Sequence, residues 1–162
     1  DDENILLLEQ QDRKLWDREL IDSGISFLEK SLSDGEISWY HLQAAIAYQH
    51  VVASSFDATD WNAILLLYNI LQQNFPSPVT FLNRAIAFSK VHGATAAIEL
   101  ILSSTEKEKL KKYYLLPATL GELFLKEKNF SVAKKHFEEA IALTNSAAEK
   151  KLLSRKIEKC IQ

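Results

Sequence analysis

Methionine is absent from all 162 residues, cysteine occurs once, proline three times and glycine four times. Each shortage excludes something. The lone Cys160 permits neither a disulfide framework nor a cysteine-based metal site, and it fits a reducing cytoplasm. So few Gly and Pro leave little to interrupt helices, and no Gly-rich loop is present to cradle a phosphate. No apolar run approaches the roughly 20 residues needed to span a bilayer, so no membrane association is expected. A net charge of −3 supplies no overall positive field for a phosphate backbone, which argues against direct nucleic-acid binding. The opening "DDENILLL" has no basic stretch ahead of its apolar residues and does not read as a signal peptide. An acidic first residue in a chain without Met reads instead as a piece of a longer protein.

What is present has the proportions of a globular domain, 47% hydrophobic and 25% charged residues. The length suits one domain over 1–162, burying roughly 70 % of the surface of its unfolded chain. Apolar residues recur at intervals of three and four almost throughout, which predicts an all-α fold of about eight helices. A first long helix is expected from an Asp12 N-cap through Leu15, Trp16, Leu20, Ile21, Ile25, Leu28 and Leu32 to a stop at Asp34-Gly35, after an irregular "NILLL". Further helices are expected over 38–53, 60–73, 78–92, 94–103, 117–128, 131–144 and from 147 onward. Ser77 caps the fourth with Pro78 in its first position, Gly93 closes it, and Ser146 with Glu149 forms a capping box for the last. The lysines at 107, 109, 111 and 112 alternate with Glu106 and Glu108, and those near the C-terminus share their helix with Glu149 and Glu158. Both clusters read as solvated helix faces.

Pro117, Leu120, Gly121, Phe124, Ala133, Phe137 and Ala140 match the tetratricopeptide pattern, with Pro in place of the leading aromatic. The slots 36 residues upstream hold Phe81, Ala85, Phe88, Ala97, Ile101 and Ser104. The clear repeats therefore span 78–111 and 114–147, and a degenerate hairpin spans 38–75. Small residues at these slots let two helices cross closely. The expected architecture is a tetratricopeptide-like array of helical hairpins, stable because neighbours stack on each other.

Such an array binds peptides or partner helices in the groove lined by its first helices. In the two clear repeats that face carries Leu82, Asn83 and Ile86, then Ala118, Thr119 and Glu122. A groove for chaperone C-terminal tails would need Lys, Arg and Asn in these slots to clamp carboxylates, so a carboxylate-clamp co-chaperone is disfavoured. The face could also be covered by another part of the same protein. Polar residues at core-like positions form a second candidate site. In "YHLQAAIAYQH", Gln43 and His50 share a helix face with Ile46 and Ala47, and both are expected to hydrogen-bond to neighbouring helix ends or to line a pocket for a signal. Arg84 stands where a large apolar residue is usual, with Asp60 or Glu99 as its expected ion partner, while Asp60 caps the helix that Trp61 anchors. No catalytic constellation emerges. His41 and His50 lie nearly opposite each other around their helix and cannot share a metal, and His92 and His136 have no ligand-spaced neighbour. No enzyme activity, metal or cofactor is expected.

The segments "LLLEQQDRKLWDRELI", "YHLQAAIAYQH", "TDWNAILLLYNILQQNFPSPVTFLNRAIA" and "YYLLPATLGELF", in this order, resemble the C-terminal extension of those extracytoplasmic-function sigma factors that carry a tetratricopeptide-like tail. The resemblance covers nearly the whole chain. Gln10 departs from it, standing where the family has an acidic residue after the first Glu. The resemblance implies a bacterial parent that directs RNA polymerase to promoters in the cytoplasm, with this chain as its regulatory tail. The implied partners are the sigma regions of the parent and RNA polymerase, with a signalling protein or small ligand as the source of a signal. The other architecture-compatible reading is a free-standing adaptor that binds a peptide or partner helix.

Overall fold

The computed structural model describes residues 5–32 and 35–161. Among them lie nine α-helices and two 3-10 turns, with no strand, in the order α1 (Arg18–Ser31), α2 (Trp39–Val52), α3 (Trp61–Asn74), α4 (Pro78–His92), α5 (Ala94–Ser103), α6 (Glu106–Lys109), α7 (Leu115–Lys126), α8 (Phe130–Leu143) and α9 (Ala147–Glu158). The fold is all-α. Consecutive helices pack on one another, α2 on α3, α4 on α5 and α7 on α8, and these hairpins are joined by the contacts of α3 with α4 and of α5 with α7. No helix among the described residues is long and apolar enough to cross a membrane.

Local chemistry sets most boundaries. The side chains of Ser38, Asp60, Ser77, Asn129 and Ser146 each accept a backbone N–H in the first turn of the helix that follows, satisfying a donor that has no intrahelical partner. Gly93 adopts φ 91°, left-handed backbone that glycine takes without strain, so α4 closes and α5 begins at one residue. At Ser38 the capping box is completed by a histidine: the Nδ1 of His41 accepts the Ser38 N–H at 2.9 Å. The box expected at Ser146 is only half formed. Ser146 Oγ accepts from the Glu149 N–H, but the Glu149 carboxylate turns away to Tyr114 and Thr144, and the Ser146 N–H donates to Thr144 Oγ1 at 3.2 Å.

The start of the chain departs most from expectation. Asp12 caps only a 3-10 turn, Arg13–Leu15, and Trp16 then runs extended. A second cap, Asp17, accepts the Leu20 N–H at 3.0 Å and starts α1 there. Two N-caps five residues apart break what the apolar periodicity suggested was one helix. The α1 stripe is not core either: Leu15 is 85% exposed, Leu20 and Leu32 are exposed, and no residue of α1 is buried. Asn4 and the expected stop at Asp34 lie outside the described residues, while Gly35 has φ 84°. The extra helix relative to the expected count is α6, one turn between α5 and α7 that seats the buried Leu110.

The core is a chain of three clusters. One joins α2, α3 and α4 through Leu42, Ile46, Ile64, Leu71 and Ala87, and the next joins α4, α5 and α7 through Phe81, Ala85, Ala97, Ile101 and Leu120. The third joins α8 to α9 through Ala133, Phe137, Ala140 and Leu153. Phe88 packs against the first two clusters and Phe124, 36 residues later, against the last two. The repeat slots read from the sequence are therefore packing positions. Gly121 and Phe137 show why the residues there must be small: a Cβ on Gly121 would lie 2.6 Å from a carbon of the Phe137 ring, which is fully buried.

Alanine favours a helix interior over glycine by about 0.5–1 kcal/mol, yet Gly121→Ala is expected to destabilise this fold by about 1–3 kcal/mol, because overpacking a filled core displaces its neighbours. Equilibrium urea unfolding measures this. In a Phe137→Leu background most of the penalty should vanish, and an unchanged or raised stability of the single variant would mean that the ring yields freely.

Candidate functional site

Periodicity along α4 and α7 brings side chains three and four residues apart onto one face. Asn83, Ile86, Ala87 and Lys90 from α4 thereby meet Ala118, Thr119, Glu122 and Lys126 from α7 across a cavity of about 550 Å³. Trp61, Ile64 and Tyr68 of α3 form one wall, and Leu152, Leu153 and Lys156 of α9 another. Ile5, Leu7, Leu8 and Glu9 also border it, so the segment ahead of α1 edges the groove. The lining is mainly apolar.

Five of the six expected groove residues line this cavity: Asn83, Ile86, Ala118, Thr119 and Glu122. Leu82 does not. It is 1% exposed and belongs to the core, because one helical step turns a side chain by about 100°. Of the expected polar network, His50 and Trp61 border the cavity with their rings 5.5 Å apart, edge to face. Asp60 is the cap of α3, accepting the Ala63 N–H at 2.9 Å. Arg84 is no buried ion-pair partner: its Nε donates to Asn69 Oδ1 at 2.6 Å on an exposed surface. Gln43 does not line the cavity, and Ala47 is exposed, so the buried face of α2 centres on Leu42 and Ile46.

The two ends of the groove differ in charge. Toward α9 the charges are paired: Lys156 is 8% exposed and sits 2.8 Å from Glu122, an ion pair that neutralises a lysine in a desolvated position. Beside it the Tyr114 hydroxyl donates to Glu149 at 2.7 Å. Burial, reinforced by the Glu149 carboxylate, holds that phenol protonated far above its ordinary range. Toward α3 the charges are not paired. Lys90 stands over the rings of Phe56, at 4.4 Å, and Trp61, at 5.3 Å. Its pKa is pushed down by burial and by the neighbouring charge of Lys126, against smaller opposite influences of the Glu9 and Asp57 carboxylates.

Arg13 is a residue that sequence reasoning missed. Arg13, 7% exposed, donates to the backbone carbonyls of His50 and Ala53 and to Thr59 Oγ1, with its guanidinium 4.9 Å from the Trp16 ring. A fixed cation at the carbonyl end of α2 satisfies orphan acceptors and complements the helix dipole. His50 is affected twice over. Its buried Nδ1 has no hydrogen-bond partner among the described residues, contrary to expectation, and burial followed by the Arg13 charge lowers its pKa. His50 is thus kept neutral. The available signal for Arg13 was the repeated Asp in "DRKLWDREL", two caps that a single helix would not need.

No protein-family model matches the chain, and no solved structure does. Over 145 residues, 90% of this chain, it is 37% identical to an uncharacterised protein of Rhizobium meliloti (strain 1021), of whose length the chain spans about a third, 34%.

Replacing Arg13 by Met should remove about 2–3 kcal/mol of stability, the scale of charged hydrogen bonds at buried acceptors. The same change should speed amide exchange in Leu7–Gln11, and an unfolding midpoint equal to the parent's would count against the clamp. For His50 the sign follows from its depressed folded pKa. The unfolded chain takes up the proton first, near the ordinary 6.5, so stability is lost as pH falls below that value. Thermal unfolding of His50→Phe should therefore vary less than the parent's between roughly pH 7.5 and pH 5. Parallel curves for the two proteins would contradict a neutral His50.

Proposed function

We propose that the chain is a regulatory tail of a bacterial extracytoplasmic-function sigma factor, acting by docking a segment of a partner in the groove of α4, α7 and α9. One observation carries this reading. The segments on which the family resemblance rests are distant in sequence but meet at the groove: Leu7, Leu8 and Glu9 from the first, His50 from the second, Trp61, Asn83 and Ile86 from the third, and Tyr114, Ala118 and Glu122 from the fourth. Residues that mark the family and also share one cavity fit a common docking role better than separate packing roles. The relative in Rhizobium meliloti is about three times as long as the matched region, which suits an array carried by a larger chain. In such a parent the tail works in the cytoplasm on the sigma regions or on RNA polymerase and carries out no reaction of its own.

Coupling between a regulatory site and an activity is commonly worth a factor of about 5 to 150. The parent protein with and without these residues should accordingly differ by at least the lower figure in promoter-specific transcription with purified polymerase. Ala118→Trp, which fills the groove, should reproduce the effect of deletion. Equal transcript yields from intact and truncated parents would overturn the reading.

A further inference from the structure

Lys90 and Lys126 are 36 residues apart and occupy the same slot at the ends of α4 and α7, and both border the groove. Among the described residues neither has a carboxylate within ion-pair distance, in contrast to Lys156, which Glu122 neutralises. Two like charges thus stand together at the rim of a mainly apolar cavity. Phe56 and Trp61 hold the Lys90 ammonium over their faces without neutralising it. We propose that Lys90 and Lys126 form a carboxylate-binding site, and that its ligand is an aliphatic peptide bearing an acidic residue.

A carboxylate between the two ammonium groups exchanges their repulsion for two charge-assisted hydrogen bonds. Burial first, and then the Lys126 charge, disfavour the charged form of Lys90, and a carboxylate seated there would offset the second of these. A free inorganic anion would use only this end of the cavity. A peptide also uses the apolar remainder, walled by Ile86, Leu115 and Ala118. The chain itself displays this chemistry in "ILLLE". Ile5, Leu7 and Leu8 border the same cavity, and Glu9 acts on Lys90 from nearby without closing an ion pair. That segment is the intramolecular version of the ligand, placed where a competing peptide would displace it. The site deepens the docking reading above and rests on it. Its test needs no polymerase, so failure of the peptide site and failure of transcriptional regulation are separately visible.

The probe is a synthetic acetyl-Leu-Leu-Leu-Glu peptide with an amidated C-terminus, so that its only carboxylate is the side chain's, titrated into the full 162-residue chain and followed by the indole N–H resonance of Trp61. Saturable binding is expected, weaker by about tenfold or more for the acetyl-Leu-Leu-Leu-Gln twin and for the Lys126→Gln chain. Glu9→Gln should tighten binding severalfold by removing the internal competitor. Equal binding of the acidic and neutral peptides, or an unaltered affinity in Lys126→Gln, would overturn the site. So would the lack of any saturable shift in Glu9→Gln chain whose unfolding midpoint matches the parent's. Displacement of the peptide by an equal concentration of inorganic phosphate would reduce the site to a general anion site and overturn the peptide assignment.

Discussion

The constraint on which this structure depends is the close approach of α7 and α8 where the Phe137 ring lies against the backbone of Gly121. A buried aromatic ring touching a bare helix fixes both the distance between the two helices and their register. Thirty-six residues earlier the corresponding positions hold Ala85 and Ile101, both fully buried in the cluster where α4 packs on α5. Because both hairpins are fixed in this way, α4 and α7 present equivalent faces to the groove. The pairing of Lys90 with Lys126, and of Asn83 with Thr119, follows from that equivalence. Packing inside the hairpins therefore decides which side chains meet outside them.

A second arrangement holds the ends of the first hairpin to the rest. Burying an arginine costs several kcal/mol unless its donors find acceptors. Arg13 finds them at the carbonyl end of α2 and at Thr59, which ties the N-terminal turns, α2 and the loop before α3 to one group. The loop that results carries Phe56, whose ring packs edge to face on Trp61 at 5.4 Å and receives Lys90. The position of the Lys90 ammonium at one end of the groove thus depends in part on the loop that Arg13 holds.

Much of the fold was legible because its determinants are local. Asp60, Ser77 and Ser146 act as caps within three residues of themselves, and Gly93 as a turn at its own backbone. Gly121, Ala133 and Phe137 were legible as packing positions because buried Ala85, Ala97 and Ile101 stand 36 residues before them. Five of six groove residues followed from the same periodicity, and the error at Leu82 is one step around a helix. The misreadings concern distant contacts. Nothing near Arg13 in sequence indicates that its partners lie some 40 positions ahead, and nothing near Arg84 indicates that Asn69 rather than a carboxylate will face it. Periodicity also cannot tell a stripe that is covered from one that is not, which is why α1 looked like core.

The buried guanidinium of Arg13 has a mechanical meaning as well. Chain tension applied ahead of residue 13 meets first a small set of polar contacts at the carbonyl end of one helix, and only afterwards the interlocked aromatic and alanine packing of the repeats. Polar contacts of short reach give way abruptly, whereas apolar packing yields over many ångströms. The N-terminal strip is thus tied to the end of α2 by hydrogen bonds, separately from the apolar packing that holds the hairpins together.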